Sequence, residues 1–351
     1  MGAHPSAPSR VGRATLLDVI ARDPEATLGS ASVRTFGARL PYLFKVLAAE
    51  EPLSLQAHPS ITQAELGFDR EDAAGIPRDA AHRNYRDRNH KPELLCALGP
   101  FDALCGFRDL AATRALFDSL AVPALRSLIA KELPLAFRDL MRMDATALVR
   151  DTAAACARHS GPFAAECAWT VRLAAKHPAD PGVIGALLLN LVHLEEGEAI
   201  YLPAGNLHAY LHGIGVEIMA NSDNVLRGGM TPKHVDVDEL LAVLDFRTGP
   251  VETIRPGRRG ALDVWETPAR EFELARAIVT ERVEVPVRAA TIVLCTRGSV
   301  VASDEDGSET LSAGDSAFVS GSCTQVELAG EGTAYLATAA ASAIRLSEPG
   351  M

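Results

Sequence analysis

The chain changes its hydrophobic period in mid-sequence, and that change limits what it can fold into. From Phe101 to about His177, "DLAATRALFDSLAVPALRSLIAKEL" and "MDATALVRDTAAACARHSGPFAAECAWTVRLAAKH" place apolar residues at i, i+3 and i+4. Ala, Leu and Arg are abundant there and β-branched runs are few, which predicts a helical block over 101–182. "HPADPG", with two prolines and a glycine, closes it at Gly182. On both sides the pattern shortens to strand length. A length of 351 residues calls for two or three domains. The expectation is a mainly β fold with a block of helices between its strands.

The strand-rich parts read in more detail. "RLPYLFKVLAAEEPLSLQAHPS" predicts strand, turn, strand, with Glu50-Glu51-Pro52 as the turn. "ITQAELGFDRED" predicts a short helix, and Gly75, Pro77 and the polar run to Asn89 a long loop. "NLVHLEEGEAIYLPAGNLHAYLHGIGVEIMANSDN" reads as short strands punctuated by Gly197, Gly205, Gly213 and Gly215. "TPKHVDVDELLAVLDF" predicts a helix with Asp236 and Glu239 spaced as a capping box. After about Gly257 only strands and turns are expected, as in a sandwich or barrel. "LEEGEAIYLPAG" (194–205) is echoed by "LSAGDSAFVSG" (311–321), which suggests two copies of one barrel unit. The second copy has Ser322, Cys323 and Thr324 where the first has Asn206, Leu207 and His208, so any metal chemistry is expected in the first.

Bulk properties exclude some partners. The net charge is 34 − 45 = −11, which disfavours nucleic acid and anionic membranes but not a small anion in a local basic pocket. Apolar residues make up 48% of the chain, enough for a sizeable core, yet no run of about 18 apolar residues predicts a membrane span. The six cysteines show no paired or metal-knuckle spacing and read as thiols of a reducing compartment. With no hydrophobic leader pattern at the first residues, a cytoplasmic location is expected.

Three separated segments carry candidate chemistry. In "LSLQAHPS", period two puts Leu53, Leu55 and Ala57 on one face and Ser54, Gln56 and His58 on the other. In "DRNHKPELL", a strand would put Lys91 and Glu93 on one face, roughly 6.5–7 Å apart. In "YLPAGNLHAYLHGIGVEI", Gly205 permits a turn and His208 opens a strand, with Tyr210 and His212 on its face. One amide oxygen, two imidazoles and one carboxylate suit a divalent metal, with zinc the default for mixed nitrogen and oxygen ligands. A neutral Gln beside a single anion would leave such a site with net positive charge and so preserve Lewis acidity. Each residue also has a plainer reading, as a packed histidine or a surface Lys91–Glu93 pair. Further on, "NSDNVLRGGMTPKH" gathers Asp223, Arg227, Lys233 and His234 in a glycine-rich loop, where Arg227 and Lys233 suit phosphate or simply solvent.

Taken together, "PLSLQAHP", "NHKPE" and "YLPAGNLHAYLHGIGVEIMANSDNVLRGGMTPKHVD" resemble the type I mannose-6-phosphate isomerases, over about residues 1–250. The resemblance implies two cupin-like jelly-roll barrels: a catalytic one from residues 1–100 and 183–256, with the helical domain 101–182 inserted, and a non-catalytic one over 257–351. It implies one zinc ion per chain on Gln56, His58, Glu93 and His208, and an active-site arginine at Arg227. Lys91 matches a proton-transfer lysine and His90 a histidine linked to ring opening. Glu217, Asp223, Tyr210, Ser54 and Lys233 match further pocket positions, with Ser54 and Lys233 toward phosphate.

The activity so implied is interconversion of D-mannose 6-phosphate and D-fructose 6-phosphate by proton transfer between C2 and C1 through an enediol. Lys91 would be the base, with Glu217 and Asp223 as rivals. The expected partner is a small sugar phosphate and the chain a monomer. Two alternatives stay open at this point: a metal-dependent cupin oxygenase using the two-histidine, one-carboxylate set, and a sugar-phosphate-binding protein without catalysis. In one respect the sequence departs from the resemblance. Family members usually carry an Asn-Tyr-Ala-Trp-Gly-Ser segment before "GAHP", and this chain starts at "MGAHPS". Roughly fifty residues of early strand are then unmatched, which predicts an open edge in the first barrel.

Overall fold

The computed structural model describes residues 1–340. Two eight-stranded β systems are joined side by side, with helices packed on the first. The last part of the expected second barrel (257–351), residues 341–351, lies outside the described residues. No helix among the described residues is long and apolar enough to cross a membrane.

The first barrel is organised by one long strand, His208–Ala220. Its second half pairs with Tyr42–Ala49 on one side (Tyr42 opposite Ala220, Ala49 opposite Gly213) and with Glu93–Ala97 on the other. Its first half pairs instead with Phe101–Phe107, and His208 itself with Gln56. The strand therefore leaves one sheet and enters another at Gly213, where φ is +129° and a Cβ would sit 2.6 Å from a Phe101 ring carbon. A strand that switches sheets at such a corner closes two sheets around a common interior. That interior holds Leu95, Phe101, Ala103, Val192, Ile200 and Tyr210.

Helices Leu110–Leu120, Pro123–Ile129, Leu133–Arg142, Thr146–Cys156, Ala164–Lys176 and Gly182–Leu187 form the inserted block. Asp109 starts the first by accepting from the Ala111 and Ala112 amides. Their apolar sides, with Phe117, Phe137 and Leu173, pack on Leu55, Ala57, Ala209 and Leu211 of the barrel. This contact settles which way "LSLQAHPS" faces. Leu55 and Ala57 are fully buried against helices, so Gln56 and His58 turn inward.

The second barrel is built from strands between Gly257 and Thr338, around Val264, Ala275, Val293, Val300 and Leu336. The echoed segments correspond to one strand–turn–strand step in each barrel, with Gly197 and Gly314 both at positive φ in the turn. The seam between barrels sets Tyr42, Phe44, Leu94, Val216 and Ile218 against Trp265, Phe272, Leu274, Ile292 and Tyr335. The Tyr42 hydroxyl lies 2.7 Å from Ala337 O and 3.0 Å from Ala290 O. Strand Tyr42–Ala49 pairs with another strand along one side only. On its other side the Phe44 amide donates to Met1 O at 3.0 Å, and Val46 beyond it is 43% exposed.

Three expectations need correction. Phe101–Phe107 is a strand, not the start of the helices: it is apolar on both faces because both are covered, and such a run has no periodicity to separate strand from helix. The helix after the glycine-rich loop spans only Val237–Val243, and half of its capping box forms. Asp236 accepts from the Glu239 amide, but the Glu239 carboxylate goes to Tyr85 Oη at 2.6 Å and Arg70 at 2.8 Å. The strand carrying Glu93 begins at Glu93 itself, leaving Lys91 in the preceding loop.

Candidate metal centre and active site

Gln56 lies opposite Arg227 on one side and His208 on the other, so three of the expected residues stand abreast on neighbouring strands. Glu93 and Glu217 come from the adjoining sheet, where Glu93 is opposite Met219 and Glu217 opposite Leu95. His58, Glu93 and His208 are buried and offer ligand atoms all within 4.8 Å of one another. His58 Nε2 is 3.4 Å from Glu93 Oε1 and His208 Nε2 3.4 Å from Glu93 Oε2.

The hydrogen bonds behind the two rings fit a metal. His58 Nδ1 is 2.7 Å from Asn224 O and His208 Nδ1 3.0 Å from Asn206 O. A carbonyl can only accept, so each Nδ1 carries the proton and each Nε2 keeps its lone pair. His58 Nε2 is buried without a hydrogen-bond partner, as a ligand atom aimed at a cation would be. Burial pushes the His58 pKa down and so favours the neutral, ligating form. Burial works to raise the Glu93 pKa, but positive charge close by, that of Lys91 included, holds it well below the usual range. A carboxylate that stays ionised beside two neutral imidazoles is a zinc donor set, and Gln56 stands next to it in register with His208.

Around this centre sit further groups. Lys91 Nζ is 3.5 Å from Glu93 Oε1 and its side chain is 14% exposed. Glu217 is tied on both oxygens: Tyr210 Oη donates to Oε1 at 2.7 Å, and Lys45 Nζ is 2.6 Å from Oε2. Burial and the nearby Glu93 charge raise the Glu217 pKa, with Lys45 opposing. Glu217 in turn keeps Lys45 raised against the effect of burial. Arg227 is half-buried, and burial followed by the repulsion of nearby Arg86 lowers its pKa. No carboxylate pairs with either guanidinium among the described residues, so the two cations form an anion-attracting pair.

Other expected residues fall elsewhere. Asp223 is about half exposed and bonded to His4 Nε2 at 3.0 Å. His90 turns from its neighbour Lys91, placing Nε2 2.8 Å from Glu271 of the second barrel. Ser54 is half-buried in the irregular segment before Gln56, and Lys233 is an exposed loop residue. Sequence reasoning missed Lys45 and Arg86. Lys45 stands as the lone charge inside an otherwise apolar strand, "YLFKVLAA", which was the available signal. Arg86 is one of several arginines in a polar loop and gave none.

Comparison with known proteins agrees with this geometry. Residues 1–110, which include Gln56, His58, Lys91 and Glu93, match the family model "Phosphomannose isomerase type I, catalytic domain". The mannose-6-phosphate isomerases of Shigella flexneri and Escherichia coli K12 are each 38% identical over 351 residues, covering 95% of this chain and 88% of theirs. The crystal structure of mannose 6-phosphate isomerase from Salmonella typhimurium bound to its substrate, fructose 6-phosphate, and to zinc is 36% identical. It superposes with a TM-score of 0.88, covering 97% of this chain and 90% of that one. The cupin-like two-barrel fold, the inserted helices and the zinc donor set thus occur together in one chain, which belongs to the type I phosphomannose isomerase family.

Proposed function

We infer that this chain interconverts D-mannose 6-phosphate and D-fructose 6-phosphate, with Gln56, His58, Glu93 and His208 holding one zinc ion. The observation that carries the reading is the buried cluster of His58, Glu93 and His208, with both Nε2 atoms facing one carboxylate. Zinc bound there supplies Lewis acidity toward the sugar oxygens, easing the negative charge that builds as a carbon-bound proton leaves. Lys91, in its neutral amine form, takes the proton from C2 and returns it to C1. It is the better candidate because Glu217 has both oxygens engaged and Asp223 is half exposed. Arg227 balances the enediolate charge. Arg86, Ser54 and Lys233 are candidates for the phosphate. His90 is left out of the proton path because its Nε2 is taken by Glu271. Lys45 and Tyr210 hold Glu217 and shape the pocket floor. We further propose a monomer in a reducing cytoplasm, a reading supported by six buried free cysteines.

The test is an isomerisation assay on mannose 6-phosphate, coupled to a downstream dehydrogenase, run before chelation, after it, and after zinc is restored. Activity that falls and recovers supports the reading. Absence of turnover in the zinc-loaded chain would overturn it, and oxygen consumption would point to an oxygenase instead.

A further inference from the structure

The second barrel has no cluster of metal-ligating side chains among its described residues, yet one of its turns reaches the loop that carries Lys91. Glu271 lies between strands Leu262–Trp265 and Glu273–Val279, flanked by Ala269 and Phe272, both buried in the seam. One carboxylate oxygen accepts from the Arg270 amide at 3.1 Å and the other is 2.8 Å from His90 Nε2. The two side chains are 19% and 30% exposed, so the contact is shielded on most sides. Burial would raise the Glu271 pKa, but the bond to His90 draws it down, as a contact to a real donor should.

The loop has no ladder of its own. Its other anchors include Asn89 O, which accepts from Asn224 Nδ2 at 2.9 Å and Ser222 Oγ at 3.1 Å, the Asn89 side chain, whose Oδ1 accepts from Arg39 at 2.8 Å, and Pro92 O, which accepts from the Ala220 amide at 3.0 Å. The partners in those anchors all precede the second barrel in the chain, and the anchored residues lie before and after Lys91 in sequence. The His90–Glu271 contact, one residue from Lys91, ties the loop to the second barrel.

We propose that Glu271 is a positioning residue for Lys91: by gripping His90 it fixes the loop, so that the second barrel serves the chemistry of the first. This rests on the reading of Lys91 as the proton-transfer group. The zinc-loaded full chain is compared with Glu271→Ala and Glu271→Gln. In Glu271→Ala, kcat should fall by about tenfold with KM and zinc content nearly unchanged, because a small displacement of a reacting group is felt mainly in the chemical step. Glu271→Gln keeps an acceptor for His90 and should recover most of the loss. In a Lys91→Ala background, Glu271→Ala should cost nothing further, since residues acting through one another are not additive.

Full kcat in Glu271→Ala, or a fully additive loss with Lys91→Ala, would overturn the proposal. Amide hydrogen exchange over residues 87–91 gives a reading independent of turnover. Exchange should quicken in Glu271→Ala and not in Glu271→Gln; unchanged exchange defeats the clamp even in a fully active enzyme. An unsubstituted chain without isomerase turnover would defeat the isomerase reading and the role of Lys91, while exchange would still decide whether Glu271 holds the loop.

Discussion

In the ligand set we propose, Gln56 sets the charge of the metal centre. With Glu93 as the one anion beside two neutral imidazoles, a zinc ion keeps about one net positive charge, and its pull on substrate oxygens depends on that excess. Gln56→Glu should retain zinc on elemental analysis but lower kcat by about tenfold, because a second anion spends the excess. His208→Ala removes a ligand and should drop zinc well below one ion per chain. Lys91→Ala and Arg227→Ala should each cut kcat by about a hundredfold while moving KM far less, since both act mainly as the transition state forms; steady-state kinetics with equal kcat would refute either role. These residues were legible to different degrees. Gln56 and His58 stood out because Leu55 and Ala57 alternate with them and demand a buried face. Lys45 did not, since its meaning comes from Glu217, a cross-strand partner far away in sequence. His90 and Lys91 are neighbours in one motif, and only the fold shows them turning to different barrels.

Among the elements, strand His208–Ala220 has the least freedom at Gly213. A side chain there meets both the positive φ of +129° and the Pro100 carbonyl, 2.7 Å from the Cβ position. Gly213→Ala should destabilise the chain by about 2–4 kcal/mol, measured as a lower urea midpoint. An unchanged midpoint would mean that the sheet switch is softer than its geometry implies. The helices were readable because their Leu and Ala residues repeat with a helical period and meet one core. The strand Phe101–Phe107 was not, because burial on both faces removes the alternation that marks a half-exposed strand. The Asp236–Glu239 spacing was real, but a tertiary partner, Tyr85, took the Glu239 carboxylate from its local one.

At the scale of the molecule, the seam between barrels is largely apolar, and two of its polar contacts can be tested. Tyr42→Phe removes the hydroxyl shared by Ala337 O and Ala290 O and should cost about 1–2 kcal/mol in urea unfolding. Glu271 has a folded pKa below its ordinary value of 4.5. Its contribution is therefore complete above that value and lost as pH falls through the lower, folded one. Stability against pH should fall less steeply in this range for Glu271→Gln, and identical slopes would dismiss the contact as a source of stability. Beyond the seam, the long strand couples ion occupancy to heat resistance. It carries the proposed ligand His208 and, a few residues on, sets Val216 and Ile218 against the neighbouring barrel. Melting at either end frees the other, so the two barrels should come apart in one calorimetric peak. Free zinc, which binds only the native form, should move that single peak upward and carry with it a barrel that never touches the metal.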